Sequence, residues 1–382
     1  MHRTGIEDYY ITKNNKRMRF GYTTGTCAAA ASKAAALMLV SGRTVSAVDI
    51  DTPKGIQLNL EVCGKFADDK KSAICTVIKD SGDDPDVTNG MPVCAKVFLT
   101  DDGSIKVEGG EGVGRVTKSG LYQKVGAAAI NRVPMQMILA ELQKIKEDFD
   151  MKEGFYAEII LPMGKELAHK TFNPRLGIEG GLSVLGTSGI VEPMSEAAIV
   201  ESIRLQLSQK RNQGKTSIII TPGNYGADFI RTIADVKDED VIKCSNYIGE
   251  TIDMLCDMEY EEVLFISHIG KFIKVAGGIM NTHSREADCR MEILAANAIK
   301  AGLKIDDARR LFECVNTDDC IDLLKSCGLA ERTMAVIGEK IDFYINNRSY
   351  GKFKSGTIVF SNKHGILCRC GNADEIIRKY ER

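Results

Sequence analysis

Two histidines in polar segments are the side chains of this chain best suited to accept a proton. His268 follows an apolar stretch, and His283 lies in the run Asn281-Thr282-His283-Ser284-Arg285. An imidazole titrates near neutral pH, so either ring could act as a general base. Lys271 and Lys274 add positive charge that suits an anionic ligand. Hydrogen-bonding histidines and solvated lysines are the simpler alternative.

Three apolar segments, each followed by a polar glycine-containing loop and a helical pattern, must position these groups. The segments are Ser217–Thr221, Val241–Ser245 and Val263–Ser267. This alternation predicts a parallel sheet, whose ligands bind beyond the carboxyl ends of the strands. A nucleotide, a phosphate or a carboxylate would fit there, although ordinary turns are the alternative. The predicted cofactor-binding residues are Thr221, Gly223, Asn224, Tyr225, Gly226, Asn246, Gly249, His268, Gly270 and Lys271.

Two glycine-containing segments lie in the first half of the chain. Thr23-Thr24-Gly25-Thr26 precedes an alanine-rich helix predicted over Ala28–Val40, and its N–H groups would form an anion cradle. A well-capped core helix is the alternative. Gly109–Gly114 follows a strand but opens no helix, so it lacks the context of a dinucleotide-binding motif. We interpret it as a flexible binding loop with Arg115 and Lys118 at its rim.

An acidic turn places four carboxylates within seven residues. It runs Asp80-Ser81-Gly82-Asp83-Asp84-Pro85-Asp86, and its spacing is not that of an EF-hand. A solvated turn is the simplest interpretation, and a calcium site is the alternative.

The composition favours a globular protein and limits its partners. The chain has 382 residues, 44% of them hydrophobic, and a net charge of −2, so it shows no basic footprint for nucleic acid. No apolar run is long enough for a membrane span and no signal peptide is evident, so we expect a cytoplasmic protein. The twelve cysteines are scattered without a Cys-x-x-Cys pair, which predicts buried free thiols and no metal site.

The predicted fold class is α/β with α+β. Residues 1–192 should form an α+β domain with mostly antiparallel strands, and residues 193–382 a three-layer, Rossmann-like α/β domain. Residues 165–189 show no periodicity and are predicted to be irregular. A helix should start after Ser195 and bury Ile199, Ile203 and Leu207. The hairpin pattern over Gly356–Cys370 could complete either sheet.

Several motifs, taken in order, resemble the CbiD family, the cobalt-precorrin-5B C-1 methyltransferases of anaerobic cobalamin biosynthesis. They span nearly the whole chain and are specific in combination. One departure is Asn131-Arg132-Val133-Pro134, where the family would have Asn-Pro-Val-Pro. The segments that carry the resemblance are Gly21–Ala28, Asp80–Asp86, Gly110–Gly114, Thr171–Gly181, Leu185–Met194, Gly223–Gly226, His268–Lys271 and Thr282–Ser284.

The resemblance implies methyl transfer from S-adenosylmethionine to C-1 of cobalt-precorrin-5B, which gives cobalt-precorrin-6A and S-adenosylhomocysteine. The second domain would bind S-adenosylmethionine and the first the anionic tetrapyrrole, with cobalt present only in the substrate. His268 and His283 are the candidate proton acceptors. The implied substrate-binding residues are Thr23, Thr24, Gly25, Thr26, Asp83, Asp84, Gly112, Gly114, Arg115, Lys118, Asn173, Arg175, Thr282, His283 and Ser284.

Other classes of protein remain open at this point. A non-catalytic tetrapyrrole carrier of the same pathway would bind the macrocycle without S-adenosylmethionine. A small-molecule kinase is suggested by the glycine loops, but the chain has no Gly-x-x-x-x-Gly-Lys-Ser/Thr phosphate loop. A homo-oligomer and transient contacts with other enzymes of the pathway are also compatible with the sequence, whereas nucleic acid and membranes are not expected partners.

Overall fold

The computed structural model of the protein describes residues 3–13, 15–67, 71–171, 173–174 and 176–380. Arg175, which we predicted to bind the substrate, lies outside the described residues. The chain is of mixed α/β type and divides into two compact units, Met1–Glu196 and Ala197–Arg382. They are called the N-terminal and the C-terminal unit below. No helix within the described ranges is long and apolar enough to cross a membrane.

The N-terminal unit is built on a five-stranded sheet whose strands lie in the order β6 (Cys63–Phe66), β7 (Ser72–Ile78), β8 (Pro92–Thr100), β11 (Gly154–Ile160) and β9 (Ile105–Gly109). All neighbouring strands are antiparallel except β9 and β11, which are parallel. The elements are β1 (Tyr10–Lys13), β2 (Lys16–Arg19), β3 (Gly21–Tyr22), α1 (Thr24–Ser41), β4 (Ala47–Asp51), β5 (Gln57–Glu61), β6 (Cys63–Phe66), β7 (Ser72–Ile78), β8 (Pro92–Thr100), β9 (Ile105–Gly109), β10 (Arg115–Val116), α2 (Arg132–Asp148), β11 (Gly154–Ile160), α3 (Gly164–Ala168), β12 (Ile178–Glu179) and β13 (Ile190–Val191).

Helix α1 packs between α2 and the sheet and is buried on nearly all sides. Its alanines over Ala28–Ala31 and Ala34–Ala36 are completely inaccessible. Small side chains let neighbouring backbones approach closely, which explains an alanine-rich helix at this place. The helix begins at Thr24, four residues before the predicted start at Ala28, because Thr23 rather than a later residue is the N-cap.

The segment predicted to be irregular contains two short elements, α3 and β12, of five and two residues. Elements this short carry no detectable periodicity. Much of the remaining described backbone pairs with neighbouring segments. For example, Val184 N donates to Ala129 O at 2.8 Å and Leu182 N donates to Gly112 O at 2.9 Å. These bonds satisfy backbone groups that a helix or strand would otherwise pair.

The C-terminal unit contains a five-stranded sheet whose strands lie in the order β15 (Val241–Lys243), β14 (Ser217–Thr221), β16 (Glu262–His268), β17 (Lys354–Ser361) and β18 (Gly365–Gly371). The first four strands are parallel, and β18 is antiparallel to β17. The elements are α4 (Glu196–Asn212), β14 (Ser217–Thr221), α5 (Asn224–Ile233), β15 (Val241–Lys243), α6 (Ile248–Asp257), β16 (Glu262–His268), α7 (Ile269–Val275), α8 (Arg290–Lys300), α9 (Ile305–Leu311), α10 (Thr317–Ser326), α11 (Ala330–Ser349), β17 (Lys354–Ser361), β18 (Gly365–Gly371) and α12 (Ala373–Ile377).

The three predicted strands and the helix after each are confirmed, and the predicted hairpin joins this sheet as β17 and β18. Successive residues of β14 enter different cores: Ile218 and Ile220 pack with α6, α7 and α11, whereas Ile219 packs with α5 and α12. A sheet covered on both faces needs continuous apolar strands, as observed. In α4, Ile203 and Leu207 are buried, but the prediction for Ile199 is wrong because its side chain is 42% exposed.

Candidate functional site

The candidate site lies at the carboxyl edge of the sheet in the C-terminal unit. Strand β14 has β15 on one side and β16 on the other, so the chain moves one way after β14 and crosses back after β15. Helix α5 packs on one face of the sheet, and α6 and α7 pack on the other. The loops after β14 and β16 therefore diverge at a topological switch point, where open α/β sheets bind their ligands.

The loop after β14 leaves the start of α5 open. Gly223 is the N-cap residue with an extended backbone (φ 175°), and no side chain of the described residues caps the helix. The first-turn amides, beginning with that of Asn224, lack acceptors within the helix. A Cβ atom at Gly223 would have no described atom within 4 Å, whereas one at Gly226 would lie 2.6 Å from Ile266 O. Gly223 thus faces open space, and Gly226 is required for helix–strand packing.

The loop after β16 meets the loop after β14. The ring of His268 lies 6.5 Å from that of Tyr225, and Lys271 Nζ donates to Pro222 O at 3.1 Å. Burial lowers the pKa of Lys271. Most of the predicted cofactor-binding residues therefore come together at the switch point: Thr221, Gly223, Asn224, Tyr225, Gly226, His268, Gly270 and Lys271.

His268 is the N-cap of α7, and its Nδ1 accepts the backbone N–H of Gly270 at 3.1 Å. Burial lowers the pKa of His268, and the carboxylate of Asp318 opposes this shift. The ring is therefore favoured in the neutral form, and its proton must lie on Nε2, as inferred from the hydrogen bond. His283 Nδ1 accepts the N–H of Arg285 in the same way, at 3.1 Å. In each ring the Nδ1 atom already accepts a backbone N–H, which argues against either ring as the proton acceptor.

A second part of the site is formed by two segments that we call the paired loops, Asn246–Gly249 and Met280–Ser284. Thr282 N donates to Asn246 O at 2.9 Å, and Thr282 Oγ1 donates to Asn246 Oδ1 at 3.3 Å. Gly249 N donates to Met280 O at 3.1 Å. The paired loops bring the predicted cofactor-binding residues Asn246 and Gly249 next to the predicted substrate-binding residues Thr282, His283 and Ser284.

Helix α10 and the end of β17 also contribute to this edge of the sheet, and we predicted neither contribution from the sequence. Asp318, in the first turn of α10, accepts a hydrogen bond from Ser361 Oγ at 2.5 Å. The ring of Phe360 meets that of His268 edge to face, with centroids 5.6 Å apart. The sequence held one signal for the end of β17. Ser361 ends an apolar run, and parallel pairing of that run with β16 brings Ser361 to the same edge of the sheet as His268. Nothing in the sequence linked Asp318 to it.

The start of α1 in the N-terminal unit does not offer the free amides that we predicted for Thr23–Thr26. Thr26 N donates to Thr23 Oγ1 at 3.2 Å, and Gly25 N donates to Leu185 O at 2.9 Å. The side chains of Thr23, Thr24 and Thr26 are buried. The alternative, a well-capped core helix, describes this segment better than an anion cradle, because the amides of Gly25 and Thr26 already have acceptors.

The glycine-rich loop is packed against other backbone and is not the flexible loop that we predicted. Gly112 has a φ of +73°, and a Cβ atom there would lie 1.8 Å from Leu161 O. A Cβ atom at Gly114 would lie 2.4 Å from the side chain of Ile178. These glycines are needed because only a residue without Cβ permits such approach.

Arg115 and Lys118 remain at the surface. The Arg115 guanidinium donates to Glu108 Oε1 at 2.8 Å and to Gly109 O at 2.7 Å, and its side chain is 45% exposed. The stem of Lys118 lies over Gly177, and the residue is exposed. Both cations could still meet carboxylates of a ligand.

The acidic turn is held by donors of the same unit. Asp83 Oδ2 accepts the N–H of Arg19 at 2.6 Å, and Asp84 Oδ1 accepts the N–H of Met194 at 2.8 Å. The Arg19 guanidinium also pairs with Asp80 at 2.8 Å. The turn is therefore only partly solvated: Asp83 is exposed, yet the hydrogen bonds of Asp83 and Asp84 tie two distant segments together.

Two further polar groups of this unit have internal partners. Lys79, only 3% exposed, pairs with Asp86 and also donates to Thr88 Oγ1. The Lys79 ammonium and hydrogen bonds from Thr88 outweigh burial and lower the pKa of Asp86. Asn173 is buried, and its Oδ1 accepts the hydroxyl of Ser183 at 2.9 Å.

In the part of the chain that the structure describes, no three His, Cys, Asp or Glu side chains are grouped so as to hold a metal ion. The cysteines are free thiols. Burial raises the pKa of Cys27 and of Cys244 to about 12, so neither is a thiolate at neutral pH.

A parallel sheet with diverging loops at its switch point is typical of α/β enzymes that bind nucleotide-like ligands. The chain matches the family model CbiD over residues 11–193 and the model of the CbiD C-terminal domain over residues 281–371. The chain belongs to the CbiD family, as the resemblance of its motifs predicted.

Two relatives in this family match over nearly their whole length. A cobalt-precorrin-5B C(1)-methyltransferase from Ruminiclostridium cellulolyticum is 47% identical, with 92% of this chain and 91% of that protein covered. Its namesake from Alkaliphilus metalliredigens is 44% identical, with 96% of each covered. A crystal structure of the cobalamin biosynthesis protein cbiD from Archaeoglobus fulgidus matches with 28% identity and a TM-score of 0.39, covering 75% of this chain and 86% of that one.

Proposed function

We propose that this protein is an S-adenosylmethionine-dependent methyltransferase that methylates C-1 of cobalt-precorrin-5B to give cobalt-precorrin-6A in cobalamin biosynthesis. The observation that carries the proposal is 44–47% identity, over more than nine tenths of the chain, to proteins named for this methyl transfer. Cobalt belongs to the substrate. The geometry of the C-terminal unit supports the proposal independently.

The carboxyl edge of the sheet has groups that fit S-adenosylmethionine. The uncapped start of α5 offers amides to a carboxylate, and Gly223 allows close approach. Lys271 places a half-buried cation between the two loops. Asp318, at the same edge, is a hydrogen-bond acceptor suited to ribose hydroxyls. Tyr225, which is 69% exposed, offers a ring for stacking.

The bound sulfonium supplies an already activated methyl group. The electron pair of the macrocycle carbon forms the new C–C bond, while the sulfur keeps the pair of the broken S–C bond and becomes a thioether. The protein therefore contributes alignment and exclusion of water rather than a nucleophilic side chain. A proton is lost from the macrocycle in the net reaction. His268 and His283 each use Nδ1 to accept a backbone amide, so we assign proton removal to neither ring.

The macrocycle carries many carboxylates and requires cationic partners. Arg115 and Lys118 of the N-terminal unit are the surface cations that we propose for this role, together with Arg175 on sequence grounds alone. Thr23, Gly112 and Asn173 would act indirectly, because their side chains or backbone are already packed within the unit.

Calorimetric titration with S-adenosylhomocysteine tests the proposal, with ATP–Mg²⁺ as the control ligand. We expect micromolar binding of the former alone. An anaerobic assay with cobalt-precorrin-5B should then show a product heavier by one methylene unit. Binding of ATP–Mg²⁺ in place of S-adenosylhomocysteine would contradict the proposal. Macrocycle binding without methyl transfer in the presence of S-adenosylmethionine would identify a carrier instead.

A further inference from the structure

Lys274 in α7 is a buried lysine that the reaction described above does not use. Its side chain is 2% exposed. Burying an ammonium group is costly unless hydrogen-bond acceptors replace water. Its Nζ donates to Thr282 O at 3.2 Å and to Ala287 O at 2.8 Å, and Asp288 Oδ1 lies 3.9 Å away. All three acceptors belong to one segment, which we call the 282–289 segment.

The 282–289 segment forms neither helix nor strand, and much of it is exposed. Its side chains from His283 to Glu286 face solvent, and Cys289 adopts a left-handed backbone with a φ of +49°. Such a segment has few apolar contacts that could fix its position. The two carbonyl bonds of Lys274 fasten it near both ends, at Thr282 and at Ala287.

Thr282 connects this anchor to the paired loops. Its carbonyl binds Lys274, while its N–H and its hydroxyl both bind Asn246. Moving Thr282 would therefore displace the loop after β15. From the opposite side, Arg348 Nε donates to Gly249 O at 3.1 Å, and the guanidinium pairs with Asp253 at 2.6 Å. The paired loops are thus held from two helices, α7 and α11.

We propose that Lys274 is a positioning residue that holds the paired loops in the arrangement that binds the methyl donor. This inference rests on the proposed function, because it takes these loops to be part of the donor site. Lys274 acts through Thr282 and Asn246. Its charge also reaches Lys271, whose pKa it lowers further.

The test compares Lys274→Met with Lys215→Met in the full-length protein. Methionine fills the space of the lysine stem but leaves Thr282 O and Ala287 O without their donor. Lys215 lies at the amino end of β14, where its Nζ pairs with Asp240 at 2.6 Å, and its replacement removes one lysine contact of the same unit. Titration with S-adenosylhomocysteine measures binding, and hydrogen exchange measures the backbone protection of residues 246–249 and 280–289.

We expect Lys274→Met to weaken S-adenosylhomocysteine binding at least tenfold and to speed exchange in those two segments, with protection of β14 and β16 unchanged. Lys215→Met should change neither readout. Equal affinity of Lys274→Met and wild type would overturn the inference. If Lys274→Met does not fold, Lys274→Gln takes its place, because glutamine keeps two N–H donors on a shorter stem. We expect Lys274→Gln to give a smaller loss of affinity for S-adenosylhomocysteine. Wild-type affinity of Lys274→Gln would overturn the inference.

Different results would contradict the proposed donor site and the positioning role of Lys274. A wild-type protein that does not bind S-adenosylhomocysteine would contradict the proposed donor site. Exchange needs no ligand, so it tests the anchor by itself. Unchanged protection of residues 280–289 in Lys274→Met would overturn the role of Lys274 even if the wild type binds.

Discussion

The two units use similar residues for different purposes. In the N-terminal unit the glycine-rich loop and the acidic turn carry the densest motifs, yet their groups contact other parts of the same unit. In the C-terminal unit the motifs are sparse, but Gly223 and the start of α5 face open space. A dense motif can therefore indicate close packing as readily as a ligand.

The difference follows from the backbone of each unit. The N-terminal unit contains a long stretch with little regular structure, from residue 165 to 189, whose backbone groups must find partners across the chain. Close crossings of this kind require glycine. In the parallel sheet, strands and helices pair most of their own backbone groups. The start of α5 has no side-chain cap among the described residues, whereas Gly249 N in α6 and Gly270 N in α7 already have acceptors.

Gly112→Ala should have the largest effect, because its new Cβ atom would clash with Leu161 O and the residue would keep a positive φ. We expect a loss of about 4 kcal/mol in the free energy of unfolding, the sum of backbone strain and overpacking. Gly180→Ala is the matched control, with a φ of +78° and no described atom within 4 Å of the Cβ position. It should cost about 1 kcal/mol. Equal losses in urea unfolding would show that the close approach is unimportant.

Asp86→Ala should have the second-largest effect on the free energy of unfolding. It leaves the ammonium of Lys79 buried with Thr88 Oγ1 as its remaining described partner. We expect a loss of about 3 kcal/mol at pH 7. The pKa of Asp86 is lowered in the folded protein, so its contribution is complete above the unfolded value of about 3.9 and is lost as pH falls below it. The difference between variant and wild type in urea unfolding should shrink on acidification below about pH 4.

A control for that measurement is Asp8→Ala, which removes an exposed pair with Arg3. Surface ion pairs contribute little, so its free energy of unfolding should match that of the wild type. A cost for Asp86→Ala no larger than that of the control would mean that the acidic turn is solvated after all, and it would reopen the turn as a ligand site.

The sequence predicted regular elements far better than it predicted which polar groups are free. Strand β14 was found with both ends correct, because Ser217–Thr221 is an apolar run bounded by turn residues. The role of Thr23 was ambiguous, because a threonine before a helix can cap it or leave its amides to a ligand. The choice depended on Leu185, which is distant in sequence and accepts the N–H of Gly25. Asp318 was missed for the same reason, since its partner Ser361 is distant in sequence.

Gly223→Val tests whether the open start of α5 in the C-terminal unit binds a ligand. The backbone at Gly223 is extended and no described atom lies within 4 Å of its Cβ position, so the variant should unfold like the wild type. A branched side chain there would obstruct a ligand, and we expect at least a tenfold loss of affinity for S-adenosylhomocysteine, about 1.4 kcal/mol. Gly226→Val should show the reverse pattern, a loss of stability from its contact with Ile266 O. Unchanged calorimetric affinity of Gly223→Val would remove this loop from the donor site.

The smallest effect should come from His268→Asn. Asparagine is a good N-cap acceptor, so the bond to Gly270 N can be kept, whereas His268→Ala should cost about 1 kcal/mol in the free energy of unfolding. The lowered pKa of His268 means that the wild type loses stability as pH falls below about 6.5, and the asparagine variant should lose less over that range. If His268 removed the proton, His268→Asn would abolish methyl transfer. If His268→Asn keeps near wild-type turnover in the anaerobic assay and only His268→Ala loses turnover, His268 has a structural role. The polar residue at the open edge of the C-terminal sheet would then resemble the packed polar residues of the N-terminal unit.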